Sequence, residues 1–458
     1  MKNYAIIILS ILTQACFAQK EFDNWYFGAN AGMSFVSGAP VALTGGQINT
    51  NEGCASISTA AGALLFYTDG RQVFNATHQQ MSNGYNLHGG FSSSQSAIII
   101  PDPANPDLYY IFTVDEMAGA DGLCYSKVDM NLSGGLGDVT VKNVQLITPV
   151  IEQIAAVKNA NGNGYWIIVH GLSVSSGSYY AYPVTAAGVG NPVISNVSTL
   201  TPSSTWIGCM RVSPDGSKIV HSRAIPNEAE IADFDAATGM VSNPFIFYLG
   251  ANNQPYGVEF SATGNVLYIV TWTPQTNKLY QLNMAAGSIA AILASATVVF
   301  NIPGETGTLH RASDNKIYLA HHATFNIGII NDPDSLGTAC NYVDQGYVSP
   351  DQVLYGLQNS ISGSVIPNNI QSLNNAAGQI RIFPNPFTVQ CTIEFHNPYN
   401  DNFILYLHDI TGRLIETPKT TGSTFMIRKG SKPAGVYLFD LLNEKTGEKW
   451  NGKMVISD

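Results

Sequence analysis

Ser213-Pro-Asp-Gly-Ser-Lys-Ile-Val220 is a tight turn followed by a β-branched run, and variants of it recur along the chain. They are Ser58-Thr-Ala-Ala-Gly-Ala-Leu-Leu-Phe-Tyr67, Pro101-Asp-Pro-Ala-Asn-Pro-Asp-Leu-Tyr-Tyr110, Asn159-Ala-Asn-Gly-Asn-Gly-Tyr-Trp166, Ser261-Ala-Thr-Gly-Asn-Val-Leu-Tyr268 and Ala312-Ser-Asp-Asn-Lys-Ile-Tyr318. Gly or Asn at the turn supplies the positive φ a hairpin needs, and the β-branched and aromatic residues that follow suit strands. Anchored on Gly62, Asn105, Gly162, Gly216, Gly264 and Asn315, the steps are 43, 57, 54, 48 and 51 residues. A period of ~40–50 residues marks four-stranded propeller blades. A sandwich array would instead show turns every ~8–12 residues without the longer period. The expectation is an all-β chain with a six- to seven-bladed β-propeller over residues 19–365. A seventh blade is expected where Asn24-Trp-Tyr-Phe-Gly28 joins Tyr355-Gly-Leu-Gln-Asn359, because pairing the chain ends removes an open edge.

Composition agrees. Of 458 residues, 45% are hydrophobic and only 12% charged, and glycine is abundant at 43. That is about half the usual ~25% charge and favours short strands with many turns over long charged helices. The net charge of −11 argues against a nucleic-acid partner.

Residues 1–18 read as a secretory signal peptide. Lys2 starts it, Ala5 to Leu12 is a short apolar run, and Ala18-Gln19 is a plausible cleavage point. A lipid anchor on Cys16 is the rival reading. No stretch reaches the ~20 apolar residues of a transmembrane helix. Beyond the signal stand Cys54, Cys124, Cys209, Cys340 and Cys391, an odd number with no C-x-x-C pair, best read as buried free thiols. Residues 366–379 are an Asn-rich linker. Charge then shifts: residues 19–379 hold 11 Lys+Arg against 24 Asp+Glu, whereas 380–458 hold 9 against 8. The latter stretch, with Thr392–Phe395, Phe403–Leu407 and Val436–Phe439 as strands, is expected to form a small Ig-like antiparallel β-sandwich.

Four ordered motifs mark that last stretch: Phe383-Pro-Asn-Pro-Phe387, Asp409-Ile-Thr-Gly-Arg413, Lys432-Pro-Ala-Gly-Val-Tyr-Leu438 and Gly452-Lys-Met-Val-Ile456. It resembles the type A C-terminal sorting domain of type IX secretion cargo in Bacteroidota-type bacteria. The resemblance implies outer-membrane export, the type IX machinery and its sortase as partners, and a secreted or surface-attached product. The signal would lie in Pro384, Asn385, Pro386, Asp409, Gly412, Arg413, Gly435, Tyr437 and Lys453. Locally, Pro384 and Pro386 keep the segment extended, Gly412 and Gly435 allow turns, and Arg413 is placed to anchor one. Residues 24–359 resemble exported propeller-like proteins of the same bacteria, through Asn24–Gly28, Asn51-Glu-Gly-Cys-Ala55, Leu65-Phe-Tyr-Thr-Asp-Gly70, Pro255-Tyr-Gly-Val-Glu-Phe260 and Cys340-Asn-Tyr342. That likeness carries location and fold but no reaction.

For chemistry, aligning the turns places Arg211, Glu259 and His310 equivalently, two residues before Ser213, Ser261 and Ala312. In a propeller these lie on the innermost strands of three successive blades. Together they would bind a sugar acid or orient water; the plainer reading is a self-satisfied network that plugs the channel. His170, His221, His321 and His322 follow strands at similar positions, yet lack metal-ligand spacing, and adjacent strand residues face opposite ways. No metal or cofactor is expected. Asp332-Pro-Asp334 and Asp102–Asp107 lack a calcium loop's pattern and read as turns. No Gly-x-Ser-x-Gly elbow occurs. Tyr179-Tyr180, Trp206, Tyr256 and Trp272 would stack on sugar rings or fill inter-blade core, with Trp272 the ligand-binding choice. The resulting expectation is noncovalent binding of a glycan or protein through Arg211, Glu259, His310 and Trp272. The alternative is a carbohydrate-active hydrolase or lyase at the channel, using Glu259 with Arg211 and His310.

Overall fold

The computed structural model describes residues 20–172, 177–198, 207–273, 276–363, 381–383, 385, 387–395, 397–409, 413–445 and 449–457. The signal segment, Trp206, the linker 366–379, Pro384, Pro386 and Gly412 lie outside them. Two compact units divide between Asn368 and Asn369.

In the first unit, seven antiparallel sheets follow one another in sequence order, their strands hydrogen-bonded in succession except in the fourth, where Gly188–Val189 and Val193–Ser195 both pair with Tyr179–Thr185. This is a seven-bladed β-propeller. The six turn units of the sequence are the hairpins between the first and second strands of blades 2 to 7, with Gly62, Gly162, Gly216, Gly264 and Asn315 at positive φ. Blade 1 lacks that signal. It is the short sheet Asn24–Phe27, Ala31–Ser34 and Val41–Ala42, turned by Gly28 and Asn30, both at positive φ. Its first strand pairs with its own neighbour in register Asn24↔Ser34. The expected pairing with Tyr355–Asn359 is therefore replaced by a local hairpin.

The first strands of successive blades line the axis: Asn24–Phe27, Ala55–Ser58, Ala97–Pro101, Val150–Lys158, Met210–Val212, Pro255–Phe260 and Thr306–Arg311. Their side chains are almost wholly buried because both faces of an inner strand meet a neighbouring blade. Large rings fill these interfaces, as where Trp25 of blade 1 packs against Phe35, His310 and Tyr318. That contact joins blade 1 to blade 7, and Ala29 N–H donating to Gln352 O at 3.0 Å fastens the same seam.

The residues expected to close the ring instead run along its axis. Tyr355 N donates to Asn51 O, Thr308 N to Tyr355 O, Asn359 N to Cys54 O and Ser362 N to Ala156 O, all at 2.7–2.9 Å. The axial segment thus pairs with inner strands on opposite sides of the ring. It fits because glycines clear its path: a Cβ on Gly356 would lie 1.8 Å from Glu52 O, and one on Gly307 1.9 Å from Tyr355 O. Asn359 sits at the centre, 3% exposed. Its Nδ2 donates to Ala97 O and Ile154 O, while its Oδ1 accepts from Arg211 Nη1 and Gln95 Nε2.

The second unit is the expected sandwich. A sheet of Arg381–Phe383, Gln390–Glu394 and Thr424–Arg428 and a five-stranded sheet built on Phe403–Asp409, Gly435–Asn443 and Lys449–Ile456 share one core. Ile393, Leu405, Leu407, Phe425, Phe439 and Met454 fill it, and Phe425 and Phe439 alternate along their strands with exposed residues.

Replacing Asn359 by Ala strands Arg211 and two inner-strand carbonyls without their partner. The loss expected is about 3 kcal/mol of propeller stability, with the second unit's own transition unmoved. Chemical denaturation of the full chain checks it.

Candidate functional site

The inner strands of blades 5, 6 and 7 end near the axis, and each delivers one polar side chain there. Arg211, Glu259 and His310 meet as the sequence alignment requires, each no more than 7% exposed. Arg211 Nε lies 3.3 Å from Glu259 Oε2, His310 Nδ1 lies 3.5 Å from the same oxygen, and Arg211 Nη2 lies 3.1 Å from His310 Nδ1. Glu259 also accepts from the backbone N–H of Phe260 and Arg311. Ser360 Oγ of the axial segment lies 3.1 Å from His310 Nε2. Guanidinium nitrogens only donate, so the neutral imidazole accepts from Arg211 at Nδ1 and donates from Nε2–H to Ser360.

Burial opposes charge on Glu259, but the Arg211 guanidinium outweighs it and holds the carboxyl down at about 2. Burial lowers His310 to about 4, against the pull of Glu259. An ionised carboxylate, a guanidinium and a neutral imidazole are thus locked together and capped by the chain's own Asn359 and Ser360. A sugar acid has no access at this point: the adjoining cavity, lined by Arg211, Glu259, His310, Arg311 and Ser360, measures ≈ 20 Å3, room for about one water.

The opposite end of the axis, where inner strands begin, was missed as a unit by the sequence reading. Tyr256 OH donates to Glu52 Oε1 at 2.6 Å and Ser92 Oγ to Glu52 Oε2 at 2.9 Å. Ser94 N–H and Oγ both donate to Glu152 Oε2 at 3.2 Å. Burial raises Glu52 to about 7 and Glu152 to about 8, and the two charges oppose one another. Above this pair lies an aromatic cluster. Trp272, Tyr256 and Tyr355 have ring centroids 6.3–6.4 Å apart. His322 stacks on Tyr355 at 3.6 Å, and Glu305 accepts from Tyr355 OH while lying 3.1 Å from His322 Nδ1. Trp272, Tyr355 and His322 are only partly buried. Exposed apolar side chains belong to the loops of this same face: Phe91, Met117, Ile225 and Tyr248. The hairpin turns at the other end of the inner strands are built from Asp, Asn, Ser, Thr and Gly with small Ala and Pro residues.

The remaining histidines separate. His321 lies 3.5 Å from Asp344, while His322 faces Glu305. His170 and His221 approach across the interface of blades 4 and 5, with ring centroids 5.1 Å apart. No metal-binding group of three His, Cys, Asp or Glu occurs among the described residues. The five cysteines are buried free thiols. Asp332 and Asp102 accept or flank backbone bonds of their own turns.

In the second unit, Asn385 Oδ1 accepts from Val455 N–H at 2.7 Å, so Asn385 is tied to the last strand. Phe387 bridges Ile456 in parallel. Asp409 receives Arg413 N–H at 3.1 Å and Arg413 Nε at 2.9 Å, closing its turn with both backbone and charge. Tyr437 OH donates to Pro433 O at 2.9 Å. Gly435 opens the strand Gly435–Asn443, and Lys453 pairs with Leu438 on the last one.

His170 is lowered to about 3, and His221 lies well below its ordinary value, both through burial. A depressed imidazole contributes stability above the unfolded value near 6.5, and this is lost as pH falls toward the folded value. The raised carboxyl of Glu152 acts oppositely: its contribution is present below about 4.5 and lost as pH rises toward 8. His221→Phe is therefore expected to flatten the fall in stability between pH 6.5 and 4. Glu152→Gln is expected to gain on the parent as pH rises from 4.5 to 8. Denaturation midpoints across pH check both signs.

Residues 381–457 match the family described as Secretion system C-terminal sorting domain. No curated protein matches the sequence. Similar solved structures include the periplasmic gluconolactonase PpgL of Pseudomonas aeruginosa (13% identical, covering 81% of this chain and 94% of that one, TM-score 0.38). TolB from Acinetobacter baumannii is 11% identical, with 65% and 62% covered and a TM-score of 0.35. PorZ, a surface component of the type IX secretion system of Porphyromonas gingivalis, is 11% identical, with 96% and 60% covered and a TM-score of 0.31. At such identities and TM-scores these likenesses carry no activity over to this chain. The C-terminal unit is the informative match: residues 381–457 form a type IX secretion sorting domain, and the chain that bears it is exported to the cell surface or beyond.

Proposed function

We propose that the exported propeller is a noncovalent binding protein whose ligand, a glycan, docks at the face where the inner strands begin. One observation carries this reading: Trp272 and Tyr355 are partly exposed aromatics over the axis, ringed by the carboxylate of Glu305 and by His322. Aromatic faces stack on the apolar side of a sugar ring, while carboxylates and imidazoles bond its hydroxyls. The hydrolase or lyase reading loses its support, since Glu259 is ionised, ion-paired and capped. Trp272 keeps its proposed ligand role; Arg211, Glu259 and His310 become supports of the scaffold.

A glycan array probed with the full exported chain tests this. Trp272→Ala is expected to weaken binding at least about tenfold, the worth of one stacked ring at roughly 1.4 kcal/mol. Glu259→Gln is expected to leave affinity unchanged and to lower stability. Binding only to protein ligands, or sugar turnover lost in Glu259→Gln, contradicts the proposal.

The sorting domain implies engagement of the type IX machinery, and we extend this to removal of the domain by its sortase after export. Deleting residues 380–458 is expected to leave a folded propeller in the periplasm, read by fractionation. Undiminished surface display contradicts the assignment.

A further inference from the structure

The aromatic face holds a carboxylate that no cation neutralises. Glu305 stands beside the rings with its side chain 33% exposed. Tyr355 OH donates to Glu305 Oε2, and His322 Nδ1 lies 3.1 Å from the same oxygen. Glu305 Oε1 has no partner among the described residues. Neither neighbour is charged: burial lowers His322, against the pull of Glu305, so the imidazole is neutral at ordinary pH. Three more carboxylates, Glu52, Glu116 and Glu152, belong to the same end of the axis. Burial holds the Tyr355 hydroxyl up at about 12, and Glu305 and Glu52 both add to the effect. Glu116, whose Oε2 accepts from Ser92 N–H at 2.9 Å, opposes charge on Glu52 in turn. Among the described residues no Lys or Arg pairs with any of these four side chains. Arg71, Arg223 and Lys278, in or beside the strand ends of this face, engage Asp69, Glu228 and Asn253 instead.

We propose that the glycan docking at this face is a cationic one, built from amino sugars whose amine is free and protonated. The inference rests on the glycan reading above and adds the charge of the ligand to it. A sugar ring stacks on Trp272, and its ammonium donates to Glu305 Oε1, the oxygen that Tyr355 and His322 leave free. A charge-assisted bond of this kind is roughly twice as strong as a neutral one. The aromatic faces of Trp272 and Tyr355 attract the same cation through their π systems. An N-acetylated sugar brings an uncharged amide to that place and gains neither term. A sugar acid would set its carboxylate against Glu305, with Glu52, Glu116 and Glu152 behind it, and is repelled.

The test uses the full exported chain and three oligosaccharides of equal length, made of glucosamine, N-acetylglucosamine and galacturonic acid. Calorimetry is run at mildly acidic pH, where the glucosamine amine is protonated. The glucosamine oligomer is expected to bind about tenfold tighter than its acetylated counterpart, and the galacturonate most weakly. In about 1 M salt, where screening acts within roughly 3 Å, the preference is expected to fall below about threefold. Glu305→Gln keeps the side chain's shape, removes its charge and is expected to bring the ratio of the two affinities near one. A propeller merely weakened by the substitution would keep the ratio. Should Glu305→Gln fail to fold, the ratio in the parent chain and its salt dependence still decide. A neutral or acidic glycan bound as tightly as the glucosamine oligomer overturns this inference and leaves glycan docking standing. A glycan array that stays blank throughout overturns the docking itself, and the inference with it.

Discussion

A single asparagine carries more of this fold than its size suggests. Asn359 lies on the propeller axis and offers two donors and an acceptor to groups on blades 3, 4 and 5. A propeller brings seven inner strands to one line, and every polar group that reaches it loses water. The chain meets that demand with its own continuation, an extended segment whose backbone pairs with inner strands on both sides of the ring. Ring closure follows from the same solution. Blade 1 does not borrow a strand from the end of the chain. It is sealed to blade 7 by Trp25 and by the Ala29–Gln352 contact, while the axial segment ties the blades together from within.

This arrangement decides which polar clusters can do chemistry. Arg211, Glu259 and His310 have the residue types of a catalytic site, yet their electrostatics are those of a structural one. Glu259 is pulled well below its usual range by Arg211, and His310 stays neutral beside Ser360. A general acid or base works best with a value near the operating pH and with access to substrate, and these groups have neither. At the other end, Glu52 and Glu152 have values near neutrality, but each is already bonded by neighbouring Tyr or Ser. The aromatic surface above them, where Trp272, Tyr355 and His322 are only partly buried, is where the proposed ligand would dock.

Much of this was legible in the sequence because turns are local. Gly216 and four of its five counterparts take positive φ, Asn105 being the exception, so their spacing reports blades directly. The alignment of those turns also placed Arg211, Glu259 and His310 on the inner strands of successive blades, where the structure has them. Blade 1 escaped because its Gly28–Asn30 turn lacks the shared pattern and its sheet is short. The axial segment escaped for a deeper reason. Tyr355-Gly-Leu-Gln-Asn-Ser-Ile-Ser362 has no strand alternation, since its surroundings are a ring of inner strands and not two faces of a sheet. Its partners are far away in sequence, and no local pattern encodes them. The sorting domain lay at the other extreme: its core alternates along strands such as Thr424–Arg428 and Gly435–Asn443, and its motifs are contiguous.

The central claim is that residues 354–363 are a structural member of the propeller. Native-state hydrogen exchange of the full chain tests it most directly. The amides of Tyr355, Asn359 and Ser362 are expected to exchange only with global opening, at the rate of the innermost strands. Exchange of these amides as fast as in the surface loops would contradict the account.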